Sequence, residues 1–173
     1  DKTTYEWFVS NPINNYNISV QIGNYVAVQD TFVKDNQTHF MNHYVLDYNK
    51  ELASNFFPQS KEVIRFYEKY FGDYQWYEDG YKLIEVPYLG MEHQSAVTYG
   101  NGFSMYNGVR SKSWPMYGVI DPLIIHETGH EWFGNSVTAS DPTHIWIHEG
   151  LQVYSESIYF EDKFKSYEVG VHY

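Results

Sequence analysis

The stretch Asp121-Pro122-Leu123-Ile124-Ile125-His126-Glu127-Thr128-Gly129-His130-Glu131-Trp132-Phe133-Gly134 carries its own start and stop signals. Asp121 suits an N-cap, Pro122 the first helical position, and Gly134 the position just past a helix end. A helix is therefore predicted, with His126 and His130 four residues apart. That spacing puts both on one helical face with Cβ atoms roughly 5–6 Å apart, so two imidazoles can converge on one zinc ion. Glu127 is turned by about 100° from His126. It can lie beside such an ion without ligating it, where a general base for water is needed.

For a chain of this composition, chance supplies the His-Glu-x-x-His pattern at roughly three per hundred, so its surroundings decide its meaning. The plainer alternative is two surface histidines on an amphipathic helix. A catalytic zinc takes three protein ligands and keeps one position open. Glu149 follows His130 after eighteen intervening residues, in Trp146-Ile147-His148-Glu149-Gly150. A turn and a returning helix, expected from about Thr143 to Phe160, fit that gap and let Glu149 face both histidines. His39 with His43 shares the four-residue spacing, but in a strand-like run the two do not stack on one face. His144 with His148 shares it on the helix of Glu149, without a matching carboxylate between them. Glu131 and Asn135 follow directly and are candidates to brace the ligands.

Outward from this stretch, the chain divides by character. Tyr5–Val9, Asn17–Ile22, Tyr25–Gln29 and His39–Leu46 are rich in aromatic and β-branched residues and are predicted as strands. Alternation of Ile18/Val20/Ile22 and of Val26/Val28 predicts a sheet with one face buried. Residues 51–71 have the apolar spacing of an amphipathic helix, interrupted at Pro58, restarted with Ser60 as cap and ended by Gly72. Two further strands, Lys82–Val86 and Ala96–Tyr99, flank Leu89-Gly90-Met91-Glu92-His93.

The composition excludes several classes. With 43% hydrophobic residues and 20% aromatics the 173 residues have material for a core, unlike a disordered chain. A net charge of -11 disfavours nucleic acid as a partner, because phosphate binding needs a basic face. No apolar run reaches the length of a membrane-spanning helix. Having no cysteine restricts metal ligands to nitrogen and oxygen.

His126-Glu127-Thr128-Gly129-His130-Glu131-Trp132-Phe133-Gly134-Asn135, followed by Trp146-Ile147-His148-Glu149-Gly150, resembles the zinc core of the membrane alanyl aminopeptidase family (aminopeptidase N-like), gluzincins with a thermolysin-like catalytic domain. Leu89-Gly90-Met91-Glu92-His93 resembles that family's Gly-x-Met-Glu-Asn exopeptidase motif, with Leu89 and His93 as departures. Pro12-Ile13-Asn14-Asn15-Tyr16-Asn17 resembles the opening of the same domain. The resemblance implies an α+β fold, a mixed β-sheet followed by the zinc-binding helices. It implies one Zn2+ per chain held by His126, His130 and Glu149, with Glu127 as base. Gly90, Met91 and Glu92 would bind the substrate, Glu92 taking the free α-amine of a peptide. The expected activity is removal of N-terminal residues from peptides. An endopeptidase on the same core, or a zinc-containing peptide-binding module without turnover, are the alternatives.

The family's transition-state-stabilising tyrosine is expected past Tyr173. The whole of 1–173 is expected to belong to the catalytic domain of a larger enzyme, incomplete at its C-terminus, with residues 1–11 the tail of a preceding β domain. Oligomeric state stays open; a bacterial periplasmic or secreted setting is favoured over a cytoplasmic one.

Overall fold

The computed structural model describes residues 2–104 and 120–172. Two long strands, β1 (Tyr25–Lys34) and β2 (Gln37–Leu46), form an antiparallel hairpin. Its two-residue turn places Asp35 and Asn36 at φ 49° and 61°, the left-handed pair whose twist matches the strands. Helices α1 (Lys50–Phe56) and α2 (Ser60–Phe71) follow, joined by a 3-10 turn through Pro58. Short strands β3 (Lys82–Glu85), β4 (Gly90–Met91) and β5 (Ala96–Tyr99) complete a sheet of order β1-β2-β3-β5-β4 among the described residues. β3 runs parallel to β2 and β5, and β4 pairs antiparallel with β5 at the edge. The C-terminal part is helical: α3 (Pro122–Gly129), α4 (Glu149–Phe164) and α5 (Tyr167–His172). The α+β expectation holds. No described helix is long and apolar enough to cross a membrane.

The core lies between the sheet and α2, α3 and α4. Alternate residues Val28, Phe32, Met41, His43, Val45, Leu83, Val97 and Tyr99 supply its sheet side. α2 contributes Val63, Ile64, Phe66 and Tyr67, with the Tyr67 ring stacked on Trp132 at 5.0 Å between centroids. α3 is buried nearly all round, and its start is built as its sequence suggests: Asp121 accepts from the Leu123 N–H at 2.9 Å, and Pro122 opens the first turn.

The seam between β2 and β3 combines backbone pairing with side-chain hydrogen bonds, and at its start the Tyr81 N–H donates to the Phe40 carbonyl at 3.2 Å. Tyr44 and Ile84 form its backbone register. Beside them the Leu83 N–H donates to Nδ1 of buried His43 at 3.0 Å, and the Tyr25 hydroxyl donates to the Glu85 carbonyl at 2.6 Å. The Glu85 carboxylate accepts from the Leu46 N–H and the Asn49 amide at 2.8 and 2.6 Å.

Some expectations are corrected. Tyr5–Val9 and Asn17–Ile22 are not strands; Asn15–Asn17 is a 3-10 turn, and Ile18, Val20 and Ile22 are exposed, the last at 93%. Alternation marks an apolar face, but a strand also needs a neighbouring ladder, and the chain here turns away to seat Asn17 under the helices. Ser60 is not a cap: it already lies inside α2, and its hydroxyl donates back to the Phe57 carbonyl at 2.7 Å. Gly134 does not directly follow a helix end. α3 stops at Gly129, and tight turns run through Trp132 and Phe133 until Gly134, at φ 142°, reverses the chain toward Val137. The predicted helix from Thr143 is a 3-10 segment, Pro142–Ile147, kinked at His144 and followed beyond His148 by α4.

Candidate metal centre

Glu149 is the first residue of α4, and its carboxylate approaches the imidazoles of His126 on α3 and of His130 just beyond it. The Nε2 atoms of His126 and His130 are 3.2 Å apart, and Glu149 Oε2 lies 3.6 Å from the first and 3.7 Å from the second. Two donors at zinc–nitrogen distances on a tetrahedron are about 3.3 Å apart, so the imidazole pair fits such an ion. The outer ring nitrogens are occupied. His126 Nδ1 meets Glu156 Oε1 at 2.6 Å and His130 Nδ1 meets the Phe133 carbonyl at 2.8 Å. With Nδ1 as the donor, each ring turns an Nε2 lone pair inward, the orientation a metal requires. A donor set of two imidazoles and one carboxylate suits zinc.

Glu127, Glu92 and His130 form a second convergent group, all three buried, with one oxygen or nitrogen from each within 4.8 Å of the others. Burial pushes the Glu127 carboxyl up to about 8; His126 opposes this, while Glu92, Glu149 and Glu156 add to it. His126 is displaced upward to about 9 because the hydrogen bond and charge of Glu156 overcome the penalty of burial. His130 moves the other way, through burial and its neighbour His126. A cation at the Nε2 atoms would take the place of the shared proton.

Gly90 and Met91 make up β4, and Gly90 packs directly on the Glu127 carboxylate: a Cβ built there would stand 2.6 Å from Oε1. Glu92 follows at once, buried between β4 and the helices. His126, His130, Glu149, Glu127, Glu92 and Gly90 thus come together, with Met91 beside Gly90 in β4. Among the described residues the other histidine pairs make no such group. His43 is a core residue, and His148 Nε2 accepts from the Ala139 N–H at 2.9 Å. Glu131 and Asn135 do not brace the imidazoles, since their side-chain bonds run to the loop after Glu92. The residue missed by sequence is Glu156, buried and bonded to His126. Its signal is its place seven residues after Glu149, two turns along the same face of α4.

The sequence profile of the peptidase family M1 domain matches residues 55–173. Human endoplasmic reticulum aminopeptidase 2 is 33% identical over 106 residues, covering 57% of this chain and 10% of that protein. Rat glutamyl aminopeptidase is 27% identical over 158 residues, covering 90% and 16%. Among solved structures, an M1 zinc metallopeptidase from Deinococcus radiodurans superimposes with a TM-score of 0.61 at 19% identity, over 82% of this chain and 29% of that one. Legionella pneumophila aminopeptidase A in complex with aspartic acid gives 0.65 at 17% identity, over 81% and 17%. At such identities the likeness is one of fold. The chain spans between 10% and 21% of the length of these curated relatives and of mouse aminopeptidase B.

Proposed function

This chain belongs to the M1 peptidase family, and from that premise we propose that residues 1–173 form most of the catalytic domain of a zinc aminopeptidase, with residues 1–11 closing a preceding β domain. The observation that carries this reading is the convergence of His126, His130 and Glu149 beside two further buried carboxylates, Glu127 and Glu92.

His126, His130 and Glu149 would hold one zinc ion per chain. Bound there, zinc supplies Lewis acidity, polarising the scissile carbonyl and bringing the pKa of water toward 7. Glu127 accepts the proton that water loses on attacking the carbonyl carbon, then passes it to the departing amine nitrogen. Its burial keeps the proton on a path between those two atoms. Glu156 keeps the His126 ring oriented. β4 is the edge strand of the sheet among the described residues, where an extended peptide can dock as an added strand. The Glu92 carboxylate, next in the chain, pairs with the peptide's terminal ammonium through charge-assisted hydrogen bonds. An internal peptide bond brings no such cation, so the register set by Glu92 selects the first residue for removal.

Replacing Glu127 by Ala in the full-length protein should lower kcat on an aminoacyl reporter by roughly 10³-fold while zinc stays near one per chain. Turnover by that variant at the wild-type rate would overturn the mechanism. Absence of zinc from the wild-type protein would overturn the metal assignment.

A further inference from the structure

Asn135 lies in the turns beyond α3, where its N–H donates to the His130 carbonyl at 2.9 Å. Its side chain is buried, and its amide is used at every position. Nδ2 donates to the Glu92 carbonyl at 2.9 Å and to Glu131 Oε2 at 3.1 Å. Oδ1 accepts from Asn17 Nδ2 at 2.9 Å and from the Tyr16 hydroxyl at 3.4 Å. The amide orientation follows from the Glu92 carbonyl, which can only accept. Glu131 extends the grip: its Oε1 accepts from the Ser95 N–H at 2.7 Å, and Ser95 sits at φ 57°. The loop carrying Glu92 is thus held at both ends, at the carbonyl of 92 and at the N–H of 95. Gln94, between them, donates to the Pro12 carbonyl at 3.0 Å. The chain segment that anchors His130 is in this way also the one that fixes the backbone of Glu92.

We propose that Asn135 is a positioning residue that sets the Glu92 carboxylate at the distance from the metal donors at which a terminal ammonium is read. This rests on the aminopeptidase reading above. Its hydrogen bonds reach the Glu92 backbone and the Tyr16–Asn17 turn and leave the donor atoms of His126, His130 and Glu149 untouched. Removing the amide therefore loosens amine recognition and spares metal binding.

The test is steady-state kinetics of the full-length zinc-loaded protein on an aminoacyl reporter and on its N-acetylated counterpart. Asn135→Ala should raise KM for the free-amine substrate about tenfold or more, the scale of a misplaced binding group, and change kcat by less than about threefold. Zinc should stay near one per chain, and the preference for free over acetylated substrate should fall with the rise in KM. Asn135→Gln, which keeps a donor, should recover part of the loss. If Asn135→Ala does not fold, Asn17→Ala removes one bond of the same hub, and a smaller rise in KM is expected. Unchanged KM and unchanged free-to-acetylated preference in a folded variant overturn the proposal. So does loss of kcat and zinc at constant KM, the mark of a purely structural role. Glu92→Gln serves as reference. If it leaves KM unchanged, the assignment of Glu92 itself fails; if it raises KM while Asn135→Ala does not, only the positioning role fails.

Discussion

Gly90 shows how little space the site leaves at the scale of one residue. A methyl group there would meet Glu127 at Oε1, Cγ and Cδ together, between 2.6 and 3.1 Å, so the carboxylate would have to move. Gly90→Ala should retain zinc and lose roughly tenfold to hundredfold in kcat, read in the same reporter assay, because a displacement of about 1 Å in a positioned base is costly. The glycine was legible as part of a motif, but its reason was not, since Glu127 lies 37 positions further along (127 − 90 = 37). His126, Glu127 and His130 were readable because a helix converts a local spacing into a shared face. Glu149 was readable because a returning helix fits the intervening gap. Glu156 obeys the same helical rule but is not legible, as a buried carboxylate and a solvated one look alike in sequence. The roles of Glu131 and Asn135 were not accessible at all: their partners Ser95, Glu92 and Asn17 come from distant segments.

At the scale of elements, α3 depends on the residue that caps it, Asp121. The carboxylate of Asp121 caps Leu123 and accepts from the Tyr99 hydroxyl at 2.7 Å and the Asn101 amide at 3.0 Å, while its own N–H donates to Gln59 at 2.7 Å. Burial raises this carboxyl to about 6, with those hydrogen bonds opposing. Asp121→Ala removes the cap and leaves a buried tyrosine hydroxyl without its acceptor, so a loss of about 2–3 kcal/mol is expected from urea unfolding at pH 7. Gly129 governs the other end: a Cβ there would collide with Gln152 and Tyr67, so α2, α3 and α4 can approach this closely only over a glycine. Start signals were the readable part of these helices, because a cap is a local event. Stops and restarts at Ser60, Gly134 and His148 were read less well, because tertiary contacts decide how far each turn tightens. The strand assigned to residues 17–22 failed for a related reason, since no sequence pattern states which neighbour will be present to pair.

Across the whole molecule, stability should depend on pH through His43. Burial lowers its imidazole to about 4, with Asp30 opposing and Lys61 adding a little. The folded chain therefore refuses a proton that the unfolded chain accepts at about 6.5. The contribution is complete above about pH 6.5 and is lost as pH falls toward about 4, by up to about 3 kcal/mol. Urea midpoints at pH 7 and pH 4.5 should diverge more for the wild type than for His43→Gln, which keeps an acceptor for Leu83 but does not titrate. Equal divergence would show that His43 carries none of the dependence.

The way β2 joins β3 has a mechanical consequence. The main-chain links across that line are the Tyr44–Ile84 pairing and the Tyr81 N–H on the Phe40 carbonyl at 3.2 Å; side-chain hydrogen bonds and the packing of Met41 and Val45 supply the rest. Were the hairpin to open as a unit, the break would run between His43 and Leu83 and would uncover Met41 and Val45. Everything assigned to the metal centre, from β4 to α4, lies on the far side of that fracture. Opening along that line would therefore leave the residues of the metal centre on one side, with three strands between β4 and the hairpin's outer strand in the sheet order.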